Sequence, residues 1–266
     1  TLATVLGMGL SWWWGWSFGA ALIFGLSLSC ASTVVLLKAL EARGILDTMN
    51  GRIAVGWLVV EDLATVLVLV LLPPLAGVLG GSAAASGAGP LWMTIGKTLL
   101  EVSAFVALML IVGRRALPWL LAQVARTGSR ELFTLAVVTS AISIAYGSAQ
   151  LFSVSFALGA FFAGMVMRES EFSHRAAEES LPLRDAFSVL FFVSVGMLFD
   201  PAVLLEKPLH VLGVVAIIIV GKSLAAMALV LALRYPLNTA LTVAASLAQI
   251  GEFSFILAGL GMSLGL

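Results

Sequence analysis

The stretch IAVGWLVVEDLATVLVLVLL (Ile53–Leu72) is apolar from end to end except for Thr65 and two adjacent carboxylates, Glu61 and Asp62. Rising about 1.5 Å per residue as a helix, it is long enough to cross a hydrocarbon core of roughly 30 Å. Glu61 and Asp62 are its ninth and tenth residues, which sets both at the bilayer midplane. An ionisable side chain at that depth costs at least a few kcal/mol, so the pair is read as a functional site.

Working outward, the rest of the chain has the same solvent. Of 266 residues, 61% are hydrophobic and 11% charged, too few charges for an ordinary wetted surface. Apolar runs recur near 1–10 (partial), 17–42, 53–72, 93–113, 131–147, 152–167, 185–199, 209–233 and 238–264. They are continuous rather than alternating, which predicts an all-α, polytopic membrane protein and not a transmembrane barrel. A formal net charge of zero argues against nucleic acid as a partner. The single cysteine, Cys30, excludes an internal disulfide and a thiolate-only metal site, and no cofactor is expected in these residues. Thr1 and Leu266 both stand in or beside apolar runs, so the chain reads as an excerpt truncated at both ends, with no soluble domain.

Alternate connections hold nearly all the basic charge, from Arg43 and Arg52 through Arg114, Arg115, Arg126 and Arg130 to Arg168, Arg175, Arg184 and Arg234. Basic loops stay on the cytoplasmic side, which orients the spans. Trp12, Trp13, Trp14 and Trp16 then fall at the outer interface as an aromatic belt. Gly77–Pro90, rich in Gly, Ala and Ser, is expected to be an outer loop without fixed structure. Arg168–Asp185 reads as a solvated cytoplasmic connection, with His174 an ordinary surface histidine.

Two further charges lie at mid-depth: Lys222 within 209–233 and Glu252 within 238–264. Neighbouring helical residues point about 100° apart, so Glu61 and Asp62 face different partners. One is expected to pair with Lys222, while the other faces water and holds a cation or a proton. Burial favours the neutral form of a carboxyl group and a nearby ammonium favours the charged one, so such a site can exchange protons. The rival reading, a buried charge network that only locks helices together, would be a costly lock with three carboxylates against one lysine. Small polar residues also cluster at mid-depth, in Ser27-Leu28-Ser29-Cys30-Ala31-Ser32-Thr33 and in Gln249-Ile250-Gly251-Glu252-Phe253-Ser254. Both stretches look like helix breaks, with Ser29, Ser32, Thr33, Gln249, Gly251 and Glu252 as the broken-helix residues. A plain small-residue packing face accounts for either one taken alone.

Ser32-Thr33-Val34-Val35-Leu36-Leu37-Lys38, Gly51-Arg52-Ile53-Ala54 and Leu58-Val59-Val60-Glu61-Asp62-Leu63-Ala64 resemble Kef-type members of the monovalent cation:proton antiporter-2 family. Phe191-Phe192-Val193-Ser194-Val195-Gly196-Met197, Lys222 and Gln249-Ile250-Gly251-Glu252-Phe253-Ser254-Phe255 follow in the same order. The resemblance implies the inverted-repeat, NhaA-like Na+/H+ antiporter fold with two crossed, broken helices. Residues 1–72 and 209–266 would form the core bundle, and 93–199 mainly linker and dimerisation-type spans. It implies a homodimer in a bacterial inner (plasma) membrane, Asp62 as the transient K+ or Na+ and proton site, and Glu61 beside Lys222. Glu61 stands where potassium-specific Kef proteins usually carry Gln, which leaves the ion open between K+ and Na+. Kef-like proteins often carry a C-terminal nucleotide-binding regulatory domain, which is absent from these residues.

The expected function is secondary antiport, with a monovalent cation and protons competing for Asp62 as it is exposed alternately to the two sides. Oxygen ligands suit a hard cation, so Ser32, Thr33 and backbone carbonyls at the breaks are expected to supplement Asp62. Lys222 would hold the empty or protonated state through Glu61, and Glu252 would tune the field or line the inner cavity. A gated cation channel and a sodium-coupled solute symporter of the same fold are the alternatives. An enzyme is not expected: Asp62 is the one aspartate deep in a span, His174 lies in a loop and His210 at an outer edge.

Overall fold

The computed structural model describes residues 2–81, 91–152 and 154–266. These form helices and their connections, with no strand among the described residues. Most of the stretch expected to be an unstructured outer loop, 82–90, lies outside the described residues. Two compact units arise, Thr1–Ala88 with Asp200–Leu266, and Gly89–Phe199.

In the first unit, α1 (Leu2–Trp13) packs along α2 (Phe18–Ser29). A Cβ on Gly7 would fall 2.7 Å from the Cα of Gly25, so the backbones of these two helices approach as closely as glycine permits. Then follow α3 (Thr33–Ala42) and α4 (Met49–Leu75), the helix that carries Glu61 and Asp62. After the second unit the chain returns with α10 (Ala202–Glu206), α11 (Pro208–Ala216), α12 (Lys222–Ala232), α13 (Leu237–Ser246) and α14 (Glu252–Ser263). Ala31, Leu36, Leu58, Ala226, Val243 and Leu247 belong to its main apolar core, which joins α3, α4, α12 and α13.

Both clusters of small polar residues are helix breaks. Cys30-Ala31-Ser32 separates α2 from α3, and residues 247–251 separate α13 from α14. Side chains make the first break tolerable by taking over backbone groups that no longer pair within a helix. Ser29 Oγ and Cys30 Sγ both donate to the Leu26 carbonyl, at 2.7 and 3.4 Å, and Ser32 Oγ accepts from Val35 N–H at 3.3 Å as the N-cap of α3.

The second unit holds α5 (Leu91–Leu108), α6 (Arg114–Ala125), α7 (Arg130–Phe152), α8 (Phe156–Arg168) and α9 (Ser173–Met197). Phe105 sits between Phe152 and Phe162, and Leu121, Phe133, Val137, Met167 and Ala176 form a second core cluster. Two stretches expected to be connections between spans are helical. The helix through 93–113 continues by a π-helical turn, Met109–Gly113, into α6, and α9 begins at Ser173, inside the charged Arg168–Asp185 segment. An ion pair at i,i+4 spacing supports the helix there, Arg175 with Glu179 at 2.9 Å, and His174 Nε2 lies 3.1 Å from a Glu178 carboxylate oxygen. His174 is otherwise exposed, as expected of a surface histidine.

Among the described residues, six helical segments are long and apolar enough to span a membrane: Phe18–Ala42, Met49–Leu75, Ile95–Ala125, Arg130–Phe152, Ser173–Met197 and Pro208–Ala232. Leu2–Trp13, Phe156–Arg168 and Glu252–Ser263 are shorter apolar helices. Trp12 and Trp13 are exposed, as belt residues are. Trp14 is not: its ring packs 4.4 Å from His210 and 5.9 Å from Phe24, so it holds α1 to α11 and α2.

Candidate functional site

The two breaks lie against each other at the middle of the first unit, and their contact explains Gly251. Its backbone is extended, a conformation open to any residue, but an added Cβ would fall 2.8 Å from the Ala31 carbonyl and from Ser32 Cα. Backbone atoms cannot rotate out of the way, so only glycine lets the strands of the two breaks touch. Gly251→Ala is expected to destabilise the protein by about 1–3 kcal/mol, measured as a lowered melting temperature in detergent, and Gly251→Val by more.

The breaks divide the two helices into four half-length pieces whose ends carry opposite partial charges. The C-terminal ends of α2 and α13 meet at Lys222, which is 5% exposed. Its ammonium donates to the Cys30 carbonyl at 3.0 Å and to the Gln249 carbonyl at 2.8 Å. A π-helical turn, Ile217–Gly221, immediately precedes Lys222 and sets the direction in which it leaves its helix. Ser254 Oγ adds a weaker bond, 3.4 Å, to the same Cys30 carbonyl.

Carboxylates occupy the N-terminal ends. Thr33, the first residue of α3, donates its hydroxyl to Asp62 Oδ2 at 2.9 Å, and Glu252 is the first residue of α14. Glu252 and Asp62 lie within electrostatic reach of each other, and Glu252 Oε2 is buried with no hydrogen-bond partner among the described residues.

Glu61 and Asp62 diverge as neighbours on a helix must. Asp62 turns to α3, whereas Glu61 faces a largely apolar cavity of about 640 Å³ whose few polar lining groups include Ser29, Thr65 and Lys222. The ion pair expected between Glu61 and Lys222 is not formed: no contact between them is short enough among the described residues. The ammonium is held by the two break carbonyls instead, and its charge acts on Glu61 across the cavity. Thr65 links this side of α4 to the first break, its one hydroxyl proton serving either the Glu61 carbonyl at 2.9 Å or the buried Cys30 Sγ at 3.2 Å.

The oxygens expected to supplement Asp62 around a cation each have a hydrogen-bond partner within the protein. The Thr33 hydroxyl is in contact with Asp62, but Ser32 caps α3 with its hydroxyl. The carbonyls of Cys30, Ser32 and Gln249 accept hydrogen bonds from Lys222, Gln249 and Lys222 respectively. Ser29 bonds within its own helix while lining the cavity beside Glu61. Sequence reasoning missed the Cys30 carbonyl as the seat of Lys222 and Thr65 as a bridge. A main-chain acceptor leaves no mark in a residue string, and a lone threonine in a span shows no role without its neighbours.

Residues 1–266 match the family described as sodium/hydrogen exchanger, transmembrane. A protein of Escherichia coli (strain K12), provisionally named cation/proton antiporter YbaL, is 60% identical over all of this chain, which spans 47% of that protein's length. K(+) efflux antiporter 6 of Arabidopsis thaliana is 34% identical over 88% of the chain and 38% of its own length. A protein of Alkalimonas amylolytica, provisionally named K(+) efflux antiporter KefB, is 34% identical over 99% of the chain and 39% of its own length. The chain thus spans less than half the length of each of these relatives. Together with the helices long enough to cross a membrane, the match over the full chain establishes that it belongs to the sodium/hydrogen exchanger family, as a multi-pass integral membrane protein of the Kef type.

Proposed function

We propose that this chain is the transport unit of a monovalent cation:proton antiporter in which a cation and a proton compete for Asp62. The observation that carries this reading is the place of Asp62: mid-span on α4, bonded to Thr33 at the first residue of a half-helix, next to the contact of two broken helices. A carboxyl group there is neutralised by a proton or compensated by a cation, and both at once would leave excess charge at a depth where charge is costly. Mutual exclusion at one group gives exchange without further machinery. Partial positive charge at the start of α3 and the Thr33 hydroxyl help to hold the carboxylate when neither ligand is bound.

Glu61 and Lys222 belong, on this reading, to the support of the site. The ammonium neutralises two converging helix C-termini, and Glu61 shares its field across the cavity. Residues 1–72 with 209–266 would act as the moving core, 93–199 as linker and dimerisation spans, and the complete protein as a homodimer. The names of the relatives support K+ as a transported ion, and the Glu61-Asp62 pair leaves Na+ as the other.

The reading is tested with the complete protein in proteoliposomes loaded with a pH-sensitive dye. An imposed K+ or Na+ gradient is expected to drive saturable proton movement in the opposite direction. Cation conductance with no proton movement would assign the protein to channels instead.

A further inference from the structure

Gln249 makes more contacts across the two breaks than a residue that merely interrupts a helix requires. Its side-chain oxygen accepts from the Ser32 backbone N–H at 2.7 Å, and its side-chain nitrogen donates to the Ser32 carbonyl at 3.0 Å. The same nitrogen donates at 3.4 Å to the Ser246 carbonyl, at the end of α13. The orientation of the amide follows from these partners, since the reversed group would set oxygen against two carbonyls and nitrogen against an N–H. Gln249 therefore pairs with Ser32 as a strand residue pairs with its neighbour, and a carboxamide is the side chain that can meet an N–H and a C=O of one residue at once. Its own backbone carbonyl holds Lys222, which also holds the Cys30 carbonyl, so a closed circuit of hydrogen bonds ties the second break to both ends of the first.

Ser32 is fully buried and has no slack. Its hydroxyl caps α3 and the next residue, Thr33, reaches Asp62. The close approach of Gly251 to Ala31 and Ser32 leaves no room for the break to shift toward the second helix.

We propose that Gln249 is a positioning residue for the Asp62 site: by holding both polar groups of the Ser32 backbone, it sets where α3 begins and so where the Thr33 hydroxyl meets the carboxylate. The proposal rests on the reading of Asp62 as the cation and proton site. Cation affinity, rather than the number of folded molecules, is then what Gln249 controls.

The test compares wild type, Gln249→Leu and Gln249→Glu in the complete protein, by K+-driven and Na+-driven proton movement in proteoliposomes. Wild-type exchange comes first, because its absence would sink the reading of the site and leave nothing for Gln249 to position. With exchange present, Gln249→Leu removes every side-chain bond to Ser32 and is expected to raise the half-saturating cation concentration roughly tenfold, as losing hydrogen bonds of ordinary strength implies. That rise is expected to exceed any fall in the maximal rate per folded protein.

Gln249→Glu keeps the shape and the acceptor for the Ser32 N–H. Protonated, it can still donate to the Ser32 carbonyl, and ionised, it cannot. The ratio of its half-saturating concentration to that of wild type, measured at the same pH, is therefore expected to grow as the pH is raised. Where Gln249→Leu fails to fold, Gln249→Glu decides alone. An unchanged half-saturating concentration at alkaline pH, whatever the maximal rate, overturns the proposal and reduces Gln249 to a structural link.

Discussion

Asn in place of Asp62 is expected to bring cation-driven proton movement down to the level of protein-free vesicles while the protein stays folded. The substitution removes the ionisable proton and the negative charge but keeps the size of the side chain and an oxygen that can accept from Thr33, whose bond to Asp62 is 2.9 Å. The helix around it needs no charge to form: α4 runs without interruption from Met49 to Leu75, and Leu58, Val66 and Leu69 bury on its inner face. Removing a buried charge is moreover expected to leave melting unchanged or raised, because desolvating that charge was costly in the folded state. Asp62→Glu keeps the charge but displaces it by one methylene, and is expected to retain exchange with weakened cation affinity. Normal exchange in Asp62→Asn would remove the central claim, and Glu252, the other carboxylate at an N-terminal half-helix end, would be the next group to replace.

The second large effect is on stability. Lys222→Ala takes away the ammonium that holds the Cys30 and Gln249 carbonyls, and leaves the Gln249 carbonyl without that donor and the Cys30 carbonyl with only the weaker bond from Ser254 Oγ. Each buried acceptor left unpaired costs about 1–3 kcal/mol, so a loss of about 3 kcal/mol and a melting temperature lower by several degrees are expected. Gln in the same position can supply neutral donors and is expected to recover part of the loss. Because Lys222 also acts on Glu61 across the cavity, the pH dependence of exchange in Lys222→Ala is expected to shift. The preference between K+ and Na+ is not, since no contact joins Lys222 to Asp62. An unchanged melt, or a selective loss of affinity for one cation, would place Lys222 in the binding site itself.

The legible parts of this protein share one cause. Lipid admits few polar groups, so each one within an apolar run stands out against its background: Glu61 and Asp62 in 53–72, Lys222, and Glu252. The breaks were legible for the same reason, as Ser29, Ser32 and Thr33 in one stretch and Gln249 and Gly251 in the other offer side-chain bonds or a missing Cβ where a continuous helix needs neither. Connections outside the membrane obeyed no such contrast. The charged residues 173–185 look like a loop by composition, yet i,i+4 pairing and packing of Ala176 and Phe172 with Phe133 make them a helix.

Pairing was the part that composition could not reach. An ammonium in a dry interior takes the strongest acceptors within its length, and whether those are a carboxylate or two carbonyls depends on which backbone ends the fold brings together. The sequence by itself determined that this chain lives in a membrane, which of its apolar runs carry charges, and which two helices break. Only the tertiary structure decided that Lys222 rests on main-chain carbonyls rather than on Glu61, that Thr33 rather than Ser32 meets Asp62, and that Gln249 reads the backbone of Ser32. Those choices are made between residues 27 to 217 positions apart in the chain, where no local pattern of residues reports distance or direction.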